Sequence, residues 1–449
     1  MADKDKGSRA LAVPSGRVSR LVGLGSMATG IMGNVMVNGA KELGRGNRPE
    51  LRDLLITPSN LHRATEQLAK MRGAAMKIGQ LISMDGGDVL PQELADILGR
   101  LRSDAHFMPP VQLRQTLNAH WPKGWLNSFQ RFETRPIAAA SIGQVHRAKL
   151  QDGREIAIKV QYPGVARSID SDVANVGTLM RLSGLIPKGL DVAPYLEEAK
   201  RQLHEETDYA REGAHLTRFG ERLAGSRDFT VPEFYPDWST EAVLAMSFEP
   251  GQPIETLSEA DQDLRDQIAH RLIDLTLREL FEFGEIQSDP NFANFHYNAE
   301  TGRIILLDFG AVRAIEPALI DLYRRLMAAA FSGDLDGLWD VACDIGFVSD
   351  DIRDDHQTHI RKMMALLSEA FQQPGPYDFA DRSLSKAMQV EGEALARAGF
   401  LPPPVPMDVL YLQRKFGGLF LLAGRLGARV PLREIFEPYL KHPVSSAAE

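Results

Sequence analysis

Apolar residues recur at steps of three and four early in the chain, which predicts amphipathic helices. A stripe of this kind follows Pro58-Ser59 and would cover one face of a long helix; its members are Leu61, Ala64, Leu68, Met71, Ala75, Ile78 and Ile82. Gly86-Gly87 interrupts the pattern, and a second helix is predicted over Pro91 to Arg102. Residues 55–106 therefore predict a helical hairpin.

The pattern changes to strands in the next part of the chain. Val145 to Leu150 and Glu155 to Gln161 are predicted strands joined at Asp152-Gly153, a dipeptide typical of tight hairpin turns. A third apolar strand begins at Val243 and ends before Pro250-Gly251. These segments predict a small β-sheet.

Helical spacing dominates the rest of the chain. One predicted helix is marked by Leu196, Ala199, Leu203 and Ala210, with acidic residues at one face: Glu205, Asp208 and Glu212. Three more are predicted at 264–283, 319–331 and 410–426, with a proline-rich linker at 402–406. The predicted fold class is thus α+β, with a leader at 1–50, a helical extension at 51–128, a small β-rich lobe at 129–248 and a helical lobe at 249–449.

Composition narrows the class of protein. The chain of 449 residues carries a net charge of -9 and one cysteine, which argues against nucleic-acid binding and excludes an intramolecular disulfide. Residues 1–48 run against this trend, with eight basic and three acidic residues around a charge-free, glycine-rich stretch at 21–40. Three interpretations of this leader stay open: a flexible segment, a membrane-associated or self-associating helix, and a membrane span.

The candidate chemistry lies in the second half of the chain. Asp289 is followed after four residues by Asn294, and Asp308-Phe-Gly310 closes an apolar strand. Protein kinases use this order for the catalytic base and two magnesium ligands. Upstream, Lys159 ends a Val-Ala-Ile-Lys type of strand, where a kinase lysine contacts the phosphates. Taken alone, Lys159 is better explained as a solvated lysine on an edge strand. The ordered motifs behind it, Asp289, Asn294 and Asp308, reverse this preference and favour the phosphate-binding interpretation.

Two departures from ordinary kinases are visible. Ala138, Ala139, Ala140 and Ser141 occupy the place of the glycine-rich phosphate loop, and alanine resists the positive φ angles that glycine allows. After Gly310 only six residues precede Pro317, so no long activation segment fits. We therefore expect an altered nucleotide loop and no ordinary peptide-binding platform.

Several ordered motifs together resemble the UbiB-type atypical kinase-like family, in particular its coenzyme Q branch, the ADCK proteins. They are Lys77-Ile-Gly-Gln80, Ala138 to His146, Lys159 to Gly164, Glu206-Thr-Asp208, Asp289 to Asn294 and Asp308-Phe-Gly310. The resemblance implies a bilobal protein-kinase-like fold whose N-terminal helical extension carries the Lys-x-Gly-Gln motif. It also implies binding of ATP or ADP with Mg²⁺, ATPase activity, and support of ubiquinone biosynthesis at a membrane.

The resemblance also assigns roles to residues. Lys77 and Gln80 would reach the active site, where Lys77 meets Glu206 and Asp208 and limits transfer to proteins; periodicity alone gives a solvated lysine instead. Nucleotide contacts are expected from the alanine loop, from Lys159 and from a hinge; the hinge residues are Met246 and Phe248. Asp289 would activate the attacking group, Asn294 and Asp308 would bind magnesium, and Glu212 would pair with Lys159.

The sequence thus predicts an atypical kinase-like ATPase. Two alternatives stay open: a kinase acting on a small molecule or lipid, and a nucleotide-bound scaffold or lipid-extraction module. Expected partners are ATP, a lipid or quinone-precursor ligand, a membrane surface, coenzyme Q biosynthesis proteins and a second copy in a homodimer, with no nucleic acid. The expected location is the cytoplasmic side of a bacterial inner membrane, or the matrix face of the mitochondrial inner membrane in a eukaryote.

Overall fold

The structure, a computed structural model, describes residues 71–82, 107–183, 192–349 and 351–440. The leader, the part of the first predicted helix before Met71 and the second predicted helix at 91–102 lie outside these residues. The chain divides into two compact units: the first contains the described residues up to Arg222 together with Pro232–Glu249, and the second contains Leu223–Val231 and the residues from Pro250 onward. Residues 223–231 thus belong with the helical unit, although they precede the last strand of the first unit.

The first unit is built on one antiparallel sheet of five strands, in the order β1-β3-β4-β6, with β2 paired to β3. The strands are β1 (Phe129–Phe132), β2 (Ala138–Ala139), β3 (Gly143–Leu150), β4 (Glu155–Gln161) and β6 (Val243–Ser247). The predicted β3–β4 hairpin is confirmed, and Gly153 adopts a φ of 92° in its turn, a value that glycine tolerates readily.

Five helices accompany this sheet among the described residues of the first unit. They are α1 (Arg72–Ile82), α2 (Pro110–His120), α3 (Val165–Ser183), α4 (Ala193–Glu206) and α5 (Tyr209–Arg222). The single helix predicted around residues 196–212 is wrong, because the chain breaks between α4 and α5. Asp208 Oδ1 accepts a hydrogen bond from the Arg211 N–H at 2.9 Å, which caps the new helix. Glu205 and Glu212 therefore lie on different helices.

Aromatic rings fill one side of the sheet in the first unit. Trp121 packs against Trp125 and Phe129 with ring centroids 5.0 and 5.7 Å apart, and Trp238 lies 4.9 Å from Phe129. Trp121 Nε1 donates to the Trp238 carbonyl at 3.1 Å, so its polar edge is satisfied inside the core. Large buried rings contribute strongly to core stability. This core packs α2 and β1 on the face of the sheet that carries Ile156, Ile158 and Val160, opposite the face of Lys159.

A buried polar chain runs through the Gln-Val-His segment of β3. The Met108 N–H donates to Gln144 Oε1 at 2.7 Å, Gln144 Nε2 lies 2.8 Å from His146 Nε2, and His146 Nδ1 lies 2.8 Å from the Glu133 carbonyl. Because the Gln144 amide nitrogen and the Glu133 carbonyl oxygen have fixed roles, His146 must be neutral with its proton on Nδ1. Burial lowers the pKa of His146.

The second unit is mainly helical. Its helices are α6 (Gln262–Arg278), α7 (Pro317–Ser332), α8 (Leu335–Ile345), α9 (Asp354–Gln372), α10 (Ser383–Arg397), α11 (Met407–Leu426) and α12 (Leu432–Leu440). The three predicted helices correspond to α6, α7 and α11, and Pro317 is at the first position of α7. The last residues of the helix predicted at 264–283 form a π-helical turn, Glu279–Phe283.

Short strands connect the helices of the second unit. The strands are β5 (Phe229–Thr230), β7 (Gln252–Pro253), β8 (Glu285–Gln287), β9 (Phe295–Asn298), β10 (Arg303–Leu306), β11 (Val312–Ala314), β12 (Tyr377–Asp378) and β13 (Arg429–Val430). One sheet has the order β5-β10-β9-β7, and the other strands pair as β8–β11 and β12–β13. Among the described helices of both units, none combines the length and hydropathy that crossing a membrane requires.

The buried His146 predicts a pH dependence of stability. In the unfolded chain His146 has its ordinary pKa of 6.5 and gains a proton as the pH falls through that value. In the folded protein His146 stays neutral until the pH reaches its lowered pKa, so between these two values only the unfolded chain is protonated. Stability from this residue is present above pH 6.5 and is lost as the pH falls toward the lowered pKa. Urea unfolding should show that the parent loses more stability than His146→Gln between about pH 7.5 and 5.5.

The control for this test is His270→Gln, since His270 is an exposed residue of α6. That variant should keep the parent's difference in stability between the two pH values. An identical difference in the parent and in His146→Gln would contradict the neutral, buried state of His146.

Candidate active site

Lys159 forms a buried ion pair in the first unit. Its Nζ lies 2.9 and 3.0 Å from the two carboxylate oxygens of Glu212, which is in the first turn of α5. The ammonium also lies 5.5 Å from the centre of the Tyr209 ring. The Lys159–Glu212 contact that the sequence predicted is present, and Lys159 is not the solvated edge-strand residue of the alternative interpretation. Its contact with a nucleotide stays a prediction.

Lys77 is also buried, with 6% of its surface exposed. It forms an ion pair with Glu206 at the end of α4, and the Ser141 hydroxyl donates a hydrogen bond to the same carboxylate. Among the described residues, Lys77 pairs with Glu206 and not with Asp208, because Asp208 caps α5. Gln80 lies on α1, but its side chain is outside the described set. The interpretation of Lys77 as a solvated helix residue is wrong.

The alanine loop is a tight hairpin. Ala138 and Ala139 form β2, and the Ala140 N–H donates to the Gly143 carbonyl at 2.9 Å. No residue other than glycine has a positive φ in the described ranges, so alanine fits this loop without strain. A Cβ added to Gly73 of α1 would lie 3.2 Å from the Ser141 carbonyl oxygen. Helix α1 is therefore packed directly on the loop.

The predicted hinge residues follow the last strand of the same sheet. Met246 is buried on β6, opposite Ala157. The Phe248 N–H donates to the Glu155 carbonyl at 2.9 Å, and the Arg147 guanidinium lies 4.2 Å from the centre of the Phe248 ring. The structure thus holds this segment in a defined conformation, and its contact with adenine stays a prediction.

Asp289, Asn294 and Asp308 lie together in the second unit. The Asn294 amide donates to Asp289 Oδ2 at 3.3 Å, and the Leu307 N–H donates to the Asn294 carbonyl at 3.0 Å. Asp308 Oδ1 accepts a hydrogen bond from the Gly310 N–H at 2.9 Å. These bonds tie the Asp289–Asn294 loop to the end of the strand that carries Asp308.

This arrangement suits a magnesium ion that also binds phosphate oxygens. Donation of the Asn294 amide nitrogen to Asp289 directs the amide oxygen elsewhere, and Asp308 supplies a carboxylate; both are hard oxygen ligands. Magnesium sites in kinases use few protein ligands because water and phosphate complete the coordination. The described residues contain no cluster of three or more His, Cys, Asp or Glu side chains that suits a metal held by protein alone.

Sequence reasoning missed two cations of α11. Arg414 Nη2 donates to Asp289 Oδ1 at 2.7 Å. Lys415 Nζ lies 3.0 Å from the Glu279 carboxylate, and the side chains of Lys415 and Glu279 are each 2% exposed. Burial raises the pKa of the Glu279 carboxyl, and the Lys415 ammonium partly offsets this effect. The sequence signal that could have found these two cations is a pair of adjacent basic residues in an otherwise apolar helical pattern. Lysine and arginine are rarely buried without a partner of opposite charge, so this pattern predicts ion pairs.

A small cavity lies beneath the Asp289–Asn294 loop. It is lined by Glu279, Gln287, Asn294, Asp308 and Lys415, together with apolar side chains. Within the described ranges, neither atom of the buried Gln287 amide has a hydrogen-bond partner. The amide of Gln287 is thus the polar group in this cavity that an ordered water would satisfy.

Known proteins resemble this chain along most of its length. A profile of the ABC1 atypical kinase-like domain matches residues 100–342. The chain is 36% identical over 439 residues to atypical kinase COQ8, mitochondrial, of Saccharomyces cerevisiae, covering 96% of this chain and 86% of the yeast protein. It is 37% identical over 429 residues to atypical kinase COQ8B, mitochondrial, of Danio rerio, covering 94% of this chain and 68% of the fish protein.

A solved structure shows the fold independently. A Mycobacterium tuberculosis protein in complex with erythromycin aligns with a TM-score of 0.60 and 23% identity, covering 86% of this chain and 99% of the other. Together with the domain profile, this likeness confirms the α+β, protein-kinase-like fold class that the sequence predicted.

The burial of the Lys159–Glu212 pair predicts a large effect on stability. Glu212→Gln removes the carboxylate charge that lies against the buried Lys159 ammonium, so we expect a loss of about 3–5 kcal/mol in the free energy of unfolding. Urea unfolding measures this change. Combining Lys159→Met with Glu212→Leu should cost less than the single substitution, because the ammonium and the carboxylate are then removed together.

Glu155→Gln is the matched control for this prediction. Glu155 pairs with Arg147 at the surface, where both side chains are 39% exposed, so its loss should cost under about 1 kcal/mol. If Glu212→Gln were as mild as Glu155→Gln, the pair would not be held in the buried geometry described above.

Proposed function

The chain belongs to the ABC1 atypical kinase-like family, and from this premise we propose that its kinase-type chemistry is hydrolysis of MgATP in support of coenzyme Q biosynthesis at a membrane. Membership in the family establishes kinase or ATPase activity and the use of a nucleotide. The role in coenzyme Q biosynthesis rests on the likeness to the COQ8 kinases along almost the whole chain.

The Lys159–Glu212 ion pair carries the proposal. In protein kinases a strand lysine must be paired with a helix glutamate before it can hold the phosphates in a productive position. The pair is formed here with both carboxylate oxygens within 3.0 Å of the ammonium. Lys159 would therefore contact the α and β phosphates, while Ala138 to Ser141 would cover the nucleotide and Met246 and Phe248 would contact the adenine.

The residues of the second unit would supply the metal site and the activating group. Asn294 and Asp308 would hold magnesium, which offsets negative charge on the phosphates when bound. Asp289 would orient the attacking water or hydroxyl through its carboxylate. Its two oxygens already have fixed partners, Arg414 and Asn294, so the carboxylate is held in one orientation.

One observation favours phosphorylation of a small molecule as the second candidate function. The segment after Gly310 forms only the short strand β11 before α7 begins at Pro317. A protein kinase needs a longer segment there to bind a peptide. If a group other than water accepts the phosphoryl, a small molecule or lipid suits this segment better than a protein side chain does.

The membrane role rests on the sequence of the leader and on the relatives. Residues 1–48 have an excess of five positive charges, and basic residues near an anionic surface contribute roughly 1 kcal/mol each. The COQ8 relatives are named mitochondrial. We therefore infer peripheral binding at an inner membrane, where a quinone precursor would be available.

ATP hydrolysis in the presence of membranes tests the proposed function. Phosphate release should require Mg²⁺ and should rise when anionic liposomes and a phenolic quinone-precursor mimic are added. Asp308→Asn should abolish both the hydrolysis and the thermal stabilisation by MgATP, because it removes a carboxylate ligand of the metal. Hydrolysis that is unchanged in Asp308→Asn would contradict the assignment of the metal site.

The cluster of Lys77, Glu206 and Ser141 generates a further prediction. Lys77 neutralises the carboxylate that also anchors the alanine loop, so Lys77→Ala should release the loop and α1 from each other. We expect this variant to gain autophosphorylation in a radiolabelled-ATP assay, and the double variant with Asp308→Asn to lack it. The control is Lys123→Ala, at an exposed lysine. A Lys77→Ala protein that binds MgATP but gains no phosphate would exclude this restraining role.

A further inference from the structure

One face of α11 contacts the Asp289–Asn294 loop directly. Arg414 and Gly418 are one helical turn apart and so lie on the same face. Arg414 donates to Asp289 at 2.7 Å, and a Cβ built on Gly418 would lie 2.5 Å from Pro290 Cγ and closer still to Pro290 Cβ. Glycine at position 418 is therefore required for the loop to approach the helix backbone this closely.

Buried contacts beside this face fix the helix in place. Lys415, next to Arg414, is paired with Glu279 in the π-helical turn that precedes β8. Tyr411, one turn earlier, is 1% exposed and lies under the Arg313 guanidinium at 4.0 Å from its ring centre. Arg313 is on β11. This strand pairs with β8, which ends two residues before Asp289. The helix thus contacts the loop, the π-helical turn that precedes β8, and the strand β11 that pairs with β8.

We propose that α11 belongs to the active site. Arg414 is a positioning residue for Asp289, and Gly418 sets the distance between the helix and the loop. This inference rests on the proposed function, because it assigns a role within the same site. It extends that site beyond residues 100–342, the segment that the family profile matches. No residue of α11 was singled out by the sequence motifs.

The mechanism of positioning follows from the hydrogen bonds. The guanidinium of Arg414 holds Oδ1 of Asp289, which leaves Oδ2 directed at the Asn294 amide nitrogen at 3.3 Å. That contact uses the amide nitrogen of Asn294 and would leave its amide oxygen available to a magnesium ion. Arginine suits this task because its donors are planar and its charge is permanent. Loss of Arg414 would leave both Asp289 and Asn294 free to rotate, without removing either of them.

A pair of neighbouring glycines gives the sharpest test. Gly417→Ala and Gly418→Ala bring the same gain in helix propensity. A Cβ at Gly417 meets nothing within 4 Å, whereas one at Gly418 meets Pro290. We expect Gly417→Ala to hydrolyse MgATP like the parent, and Gly418→Ala to lose about 10- to 100-fold in kcat, since a displacement on the order of 1 Å has this effect in a catalytic site.

Arg414→Ala should show the same loss in kcat with a KM for MgATP within about threefold of the parent, the pattern of an interaction used in the transition state. Millimolar guanidinium should restore part of its activity, and Arg414→Lys should retain part of it. The control is Arg425→Ala on the same helix, where Arg425 pairs with Glu255 at the surface. Thermal unfolding of every variant identifies a loss that is due to misfolding.

A double-mutant cycle decides whether Arg414 acts through Asp289. If it does, Arg414→Ala in an Asp289→Asn background should cause no further loss, because the residue being positioned is already inactive. Additive losses, or a folded Arg414→Ala protein with the parent's kcat, would overturn the inference. Failure of the proposed function would look different, because the parent itself would then show no magnesium-dependent ATP hydrolysis.

Discussion

A buried cation must have a carboxylate partner, and this constraint shapes both units of the protein. An ammonium or guanidinium removed from water without a counter-charge costs several kcal/mol, so each such side chain fixes the position of its partner. Lys77 and Lys159 hold the ends of neighbouring helices in the first unit through Glu206 and Glu212. In the second unit the buried Lys415 holds Glu279, and Arg414, with 14% of its side chain exposed, holds Asp289. Lys159 and Asp289, two of the residues with proposed chemistry, are therefore held by ion pairs.

The ion pairs of the first unit explain how a loop of alanines replaces a glycine-rich one. The loop closes as a hairpin without positive φ angles, and its Ser141 shares the Glu206 carboxylate with Lys77. The glycine of this contact lies on the helix that packs against the loop, at Gly73 of α1, where it permits close packing against Ser141. An ordinary kinase loop is flexible because of its glycines, whereas this alanine loop is in close contact with an added helix.

The second unit uses a related device. Helix α11 carries a glycine where it meets Pro290 and an arginine where it meets Asp289. In this way a helix far along the chain takes part in the geometry of the short Asp289–Asn294 loop. The combination would suit chemistry on a small acceptor or water, because the carboxylate of Asp289, the proposed activating group, is held from within the unit and needs no phosphorylated segment to order it.

The sequence by itself determined the α+β fold class, the β3–β4 hairpin and the helices α6, α7 and α11 of the second unit, because their signals are local: apolar periodicity, a glycine turn and a proline at a helix start. It also gave the order of Lys159, Asp289, Asn294 and Asp308, since a resemblance to a family is carried by short motifs. The roles of these four residues stay predictions.

Only the tertiary structure decided that, among the described residues, Asp208 does not share Lys77 with Glu206, and that Arg414 meets Asp289. The break between α4 and α5 depends on the capping hydrogen bond of Asp208, which helical periodicity cannot register, and this break leaves Glu206 as the partner of Lys77. The contact of Arg414 with Asp289 joins residues 125 positions apart. Pairings over such separations are set by the packing of whole helices, and no local pattern in the chain records them.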